Sequence, residues 1–248
     1  MSNDFFLLLH GQPGAAADWE RLRAVLGEGI PSLAIDRPGW DGSSRATDLA
    51  GNARAALAAL DRAGVARATV VGHSLGAAVA AWLAVSDPER VRRLVLVSPA
   101  ANSDSLGPVD YLLAAPVLGW LTTIGAMAGG GLMLGARSVR RWVAEATAVD
   151  ERYLRSAGRM LLAPRAWRSF VREQRLLVQD LPVLERRLAE IASPTTIVSG
   201  TADRVVPPSA ARRLRGQIPG AELVEIPHAG HLLHIQQAGR LAEIVAAR

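Results

Sequence analysis

Short apolar runs of strand length alternate with longer stretches whose apolar residues recur at helical spacing. Residues 5–9, 33–35, 69–71 and 94–97 are the runs, most of them flanked by Gly or Pro. Residues 19–26, 48–63 and 75–85 are the helical stretches between them. Strand, helix, strand at this rhythm predicts βαβ units, and such units build a parallel sheet covered by helices on both faces. The rhythm returns late in the chain, with strands over 196–199 and 222–226 and helices over 209–215 and 236–247. The fold class expected is α/β.

Residues 101–191 break the rhythm, because they read as helices with no strand-like run. The expected organisation is a core of residues 1–100 and 192–248 with a helical insertion of 101–191. Residues 111–136 hold no charged side chain, and on length alone they could cross a bilayer. Pro116, Gly119, Gly125, the triplet Gly129-Gly130-Gly131 and Gly135 argue instead for two or three short apolar helices and no stable membrane span. Their large side chains are expected to face the sheet domain and to line an apolar pocket.

Half of the 248 residues are hydrophobic and 21% are charged, so the chain can bury a sizeable core. It has no cysteine, which excludes disulfides, thiolate metal sites and a Cys nucleophile. All 28 basic residues are Arg against 23 acidic ones, a net charge of +5. The arginines are interrupted by apolar residues at helical spacing and form no basic run with interleaved aromatics, so nucleic acid is not an expected partner. The opening MSNDFF lacks a positive n-region and an apolar h-region, which predicts a cytoplasmic protein.

Gly72-His73-Ser74-Leu75-Gly76 carries the strongest chemical signal. It follows a predicted strand and opens a predicted helix, the setting in which a sharp turn presents a nucleophilic Ser. A Ser hydroxyl needs an adjacent base and an orienting carboxylate to react. Asp203 and His231 each stand just past a late strand, in the chain order Ser, Asp, His. Open α/β sheets build their sites at that strand edge. Asp104, past the fourth strand, is the other candidate for the carboxylate. His228, His231 and His234 have the spacing H-x-x-H-x-x-H, but Gly230 interrupts any helix there and no Cys is at hand, so no metal is expected.

These motifs, in this order, resemble the α/β-hydrolase superfamily along nearly the whole chain apart from the insertion. His10-Gly11-Gln12-Pro13-Gly14 is similar to the family's loop after its third strand, and Asp36-Arg37-Pro38-Gly39-Trp40 to the turn after its fourth. The resemblance implies an oxyanion hole made by the N–H groups of Gln12 and Leu75. It implies a cap over the site where the insertion lies, and it favours Asp203, because Gly-Thr-Ala-Asp followed by Val-Pro resembles the family's acid loop. The chain enters at the equivalent of the family's third strand, so a sheet of about six strands is expected. Asp41 stands where the family often has Gly, and Gln236 and Gln237 where it often has Glu and Pro.

The function expected is that of a serine hydrolase with a Ser74–His231–Asp203 triad, cleaving an ester-like bond of a small apolar substrate without a cofactor or metal. Carbon–carbon bond hydrolases and cofactor-free perhydrolases of the same fold also use Ser. A slow-turnover ligand receptor would keep the same residues. Oligomeric state is left open by the sequence.

Overall fold

The computed structural model describes residues 5–27, 29–147 and 149–247; residues 1–4, which open the segment read for targeting, lie outside these. Six parallel strands form one sheet in the order β2-β1-β3-β4-β5-β6. They are β1 (Phe6–Leu9), β2 (Ser32–Ile35), β3 (Ala68–His73), β4 (Val91–Val97), β5 (Thr195–Gly200) and β6 (Glu222–Ile226). Helices α1 (Glu20–Leu26), α2 (Leu49–Arg62) and α3 (Leu75–Ser86) connect the first four strands. Between β4 and β5 lie α4 (Pro108–Ala114), α5 (Leu118–Gly135), α6 (Arg137–Thr147), α7 (Glu151–Leu161) and α8 (Pro164–Glu185). Helices α9 (Pro208–Gln217), α10 (Leu233–Gln236) and α11 (Ala238–Ala246) complete the chain.

Alternate residues of the central strands feed two hydrophobic layers, as a two-residue side-chain period requires. Leu7, Leu9, Val70, Leu94 and Leu96 pack with α2, α3 and the later part of α8. Phe6, Leu8, Val71, Val95 and Val97 pack on the other face with Trp19, α1 and α11. Leu177, Leu181 and Leu184 of α8 are buried in the first of these layers, so that helix also serves as the crossover from β4 to β5.

Two segments differ from the sequence expectation. The run 111–136 makes the end of α4 and then one continuous helix of 18 residues, α5, rather than a set of short ones. Its glycines act as contact points. A Cβ on Gly119 would lie 2.2 Å from the Leu113 carbonyl oxygen, and one on Gly131 would lie 2.9 Å from that of Gly158 on α7. Gly119 and Gly131 therefore face inward, while Leu118, Leu121, Leu132 and Met133 are exposed instead of meeting the sheet domain. The closing helix is divided at Gln237 (φ −122°, ψ 36°), which lets Leu233, His234 and Ile235 bury separately from Leu241, Ile244 and Val245.

Parallel register brings the strand ends to one edge. Leu9 pairs with Gly72, His73 with Val97, Val97 with Val198 and Gly200 with Ile226. The chain runs outward from β1 to β2 and then returns to β3 on the other side of β1. Loops leaving β1 and β3 thus diverge, and the crevice between them is where such sheets hold ligands. Residues 10–14 and Ser74 occupy it.

Candidate active site

Ser74 sits between β3 and α3 at φ 52° and ψ −121°, a left-handed geometry that a non-glycine residue adopts only under constraint. Its N–H donates to the Val97 carbonyl at 2.9 Å, and its carbonyl accepts from Ala77 at 2.9 Å and Ala100 at 3.2 Å. The turn closes only because its neighbours are glycine. A Cβ on Gly72 would lie 2.2 Å from the Gly76 carbonyl oxygen, and one on Gly76 would lie 2.3 Å from that of Leu9. Leu75 is the first residue of α3, so its N–H belongs to the group of helix-start donors without an intrahelical acceptor.

Asp203 and His231 come from the loops after β5 and β6. The Nδ1–H of His231 donates to Asp203 Oδ2 at 2.9 Å. Asp203 Oδ1 accepts the N–H groups of Val205 at 2.9 Å and Val206 at 3.0 Å, which fixes the carboxylate with Oδ2 facing the imidazole. Burial would raise the Asp203 pKa, but the His231 bond and charge and these two amides hold it below the usual carboxylate range. The two loops are laced together by bonds from Thr201 N to the Ile226 carbonyl, from Ala202 N to the Ala229 carbonyl, and from His228 N to the Thr201 hydroxyl. Asp104 lies elsewhere, against the Arg213 guanidinium at 3.3 Å.

The other histidines have distinct places. His73 Nε2–H donates to the His231 carbonyl at 2.9 Å, with the ring centroids 4.8 Å apart, which binds the base loop to the residue beside Ser74. His234 stacks on His73 with centroids 3.9 Å apart and lies 5.1 Å from Trp19. His228 is exposed. Burial holds His10 and His73 well below the ordinary histidine pKa, and His234 down to about 3, so all three are neutral.

The loop of residues 10–14 is held from below by a buried network that motif reading alone did not reveal. Arg37 donates to the His10 carbonyl at 2.9 Å, to the Gly11 carbonyl at 2.8 Å and to Asn52 Oδ1 at 3.2 Å, and it pairs with Glu173 of α8. Trp40 Nε1–H donates to the same Glu173 at 2.8 Å. His10 completes the loop, its Nδ1–H donating to the Gly11 carbonyl at 2.7 Å and its Nε2 accepting Arg37 N–H at 3.0 Å. The Gln12 side chain donates to Gln174 at 2.5 Å, and Gln174 donates to Asp110 of α4 at 3.0 Å. One signal was available: Ala166, Glu173, Leu177, Leu181 and Leu184 share one face of α8, and a carboxylate on such an apolar face needs a buried partner.

A cavity of about 820 Å³ opens beside this loop, between residues 14–24 and 36–42 on one side and α7 on the other. Trp40, Tyr153, Met160 and Ile235 line it together with Asp18 and Arg159; none of Ser74, Asp203 and His231 does.

The pattern of the Alpha/beta hydrolase family matches residues 6–244, so the chain belongs to that family and is by class a hydrolase. Among curated proteins it is similar to a 2-hydroxy-6-oxononadienedioate/2-hydroxy-6-oxononatrienedioate hydrolase of Burkholderia vietnamiensis, 28% identical over 98% of this chain and 86% of that protein. It is also similar to RutD of Klebsiella pneumoniae, which carries the name of a carbamate hydrolase, at 30% identity over 94% of this chain and 86% of that one. Of solved structures, an alpha/beta hydrolase fold protein from Burkholderia ambifaria aligns with a TM-score of 0.81, covering 100% of this chain and 91% of its own, at 23% identity.

Proposed function

We propose that the protein is a carboxylesterase-like serine hydrolase that cleaves an ester-like bond of a small, largely apolar substrate through an acyl-enzyme on Ser74. The observation that carries this reading is the 2.9 Å Asp203–His231 hydrogen bond, set at the same sheet edge as a Ser held at φ 52°. Ser74 Oγ attacks the carbonyl carbon, and its proton passes to His231 Nε2. Asp203 fixes the imidazole tautomer and stabilises the imidazolium. The oxyanion is received by the N–H groups of Gln12 and Leu75, each such donor being worth about 3 kcal/mol. Collapse expels the alcohol, which takes the proton from His231. Water, deprotonated by the same nitrogen, then releases the acid. Helices within 101–191 act as a cap over this chemistry, with Gln12 tied to them through Gln174 and Asp110.

A second reading, hydrolysis of a carbon–carbon bond next to a carbonyl, is supported by the relatives named for 2-hydroxy-6-oxo dioate substrates. One experiment separates the two. The protein is assayed on p-nitrophenyl esters of increasing acyl length and on a vinylogous 1,5-diketone acid, with Ser74→Ala as control and a fluorophosphonate probe for labelling. Turnover of esters with Ser74 labelled supports the first reading. Preferred cleavage of the diketone supports the second, and labelling at another Ser overturns both.

A further inference from the structure

Helix α5 is built opposite to a core helix. Gly119, Thr123, Met127 and Gly131, at four-residue spacing, form its buried side. Its outer side carries Leu118, Leu121, Leu132 and Met133, each more than half exposed, and only 22% of the helix is buried. Val117, just before α5, and Trp142, on the helix that follows it, are also exposed, at 72% and 68%. With Leu118, Leu121, Leu132 and Met133 turned outward, this face is unpartnered among the described residues.

We propose that this face docks on an anionic lipid surface, with α5 lying in the plane of the interface. Charge selects the occupant: residues 111–147 carry Arg137, Arg140 and Arg141 against one acid, Glu145, and Arg137 and Arg141 stand exposed at one end beside Trp142. Arginine and tryptophan at the margin of an apolar face suit the headgroup level of a membrane. Arg140, between the two, is turned inward. It donates to the Leu134 carbonyl at 2.7 Å and the Gly135 carbonyl at 3.1 Å and pairs with Glu151, so it caps α5.

The face also offers a protein partner little to bond. The Thr122 hydroxyl already donates to the Leu118 carbonyl of its own helix at 2.8 Å. Two copies meeting through this face would bring Arg137 and Arg141 of each together against one acid per copy, Glu145. Spanning is not required and does not suit the packing, since α5 is fastened to α4 at Gly119 and to α7 at Gly131. The inference stands apart from the bond that Ser74 cleaves.

The test is sedimentation of the intact protein with vesicles of phosphatidylcholine alone or mixed with phosphatidylglycerol. Binding to the mixed vesicles, weakened by 0.5 M salt, is expected, together with a blue shift of tryptophan emission that Trp142→Phe diminishes. Leu121→Gln with Leu132→Gln should weaken partition about tenfold or more. Arg137→Gln and Arg141→Gln should each weaken it about fivefold on anionic vesicles only. All four positions are exposed, so thermal unfolding should not change. No binding to anionic vesicles overturns the proposal. If sedimentation velocity then shows a dimer that the leucine variants dissociate, a second copy covers the face instead.

Discussion

Arg37 and Glu173 form an ion pair in which each side chain is only 1% exposed, and through it helix α8 holds the loop that precedes the nucleophile. Burial raises the Glu173 pKa, and the Arg37 charge and the hydrogen bonds of Arg37 and Trp40 oppose that rise. A buried ion pair is costly to half-remove, because the survivor keeps its desolvation penalty without its partner.

Glu173→Ala and Arg37→Ala should therefore each lose about 3–5 kcal/mol of stability in urea unfolding. Arg37→Met with Glu173→Leu should lose less than either single change. That double variant still frees the His10 and Gly11 carbonyls, so kcat should drop about 100-fold with little change in KM. A double variant with full kcat would show that the pair is structural only.

Asp203→Asn should lower kcat by about 10⁴, because an amide leaves His231 in the wrong tautomer. Asp104→Asn, which disturbs only the contact with Arg213, should leave kcat within twofold. Steady-state kinetics on one good ester substrate decide this, and the reverse ranking would reassign the acid.

Acid should unfold the protein early. Unfolded histidines bind a proton near pH 6.5, whereas buried His10, His73 and His234 do not, so their contribution is complete above that pH and is lost as pH falls. Each contributes a slope of up to about 1.4 kcal/mol per pH unit. Asp18 acts oppositely. Burial raises its pKa from 3.8 to about 6, so its contribution is present below 3.8 and is lost as pH rises through 6. Between pH 4 and 5.5 the net slope is that of the histidines less those of Asp18 and of Glu173 and Asp180, whose pKa values burial also raises. His234→Leu should flatten it and Asp18→Asn should steepen it. Neither ring nitrogen of His234 has a hydrogen-bond partner among the described residues, so the leucine should cost little at pH 8. Unfolding midpoints measured across pH check all three statements.

Two glycine substitutions should have opposite signs. Gly76→Ala forces a Cβ to 2.3 Å from the Leu9 carbonyl oxygen and should cost about 3 kcal/mol or more, or prevent folding. Gly125→Ala meets nothing within 4 Å in the middle of α5 and should gain about 0.5–1 kcal/mol. Equal effects in thermal unfolding would contradict the packing described.

Much of the fold was legible because its signals are local. Residues 222–226, Glu-Leu-Val-Glu-Ile, make a short run rich in apolar side chains between turns, and they form β6 over those residues. Ser74, Asp203 and His231 each stood in a short motif directly after an apolar run, so their shared edge followed from the parallel sheet. Arg37 and Glu173 are 136 residues apart, and no local pattern pairs them. The glycines of α5 misled for a different reason. As helix breakers they count against α5, yet two of them, Gly119 and Gly131, are the positions of close approach at which α4 and α7 pack onto it.

The placement of the reactive groups on β3, β5 and β6 has a consequence for the growing chain. Ser74 is synthesised 157 residues ahead of His231. On the reading proposed here, the serine stays chemically idle while that intervening chain is made, because the base is not yet present to activate it. Reactivity switches on only when β6 and the loop after it have docked, so a polypeptide released before that point is harmless as well as unfinished.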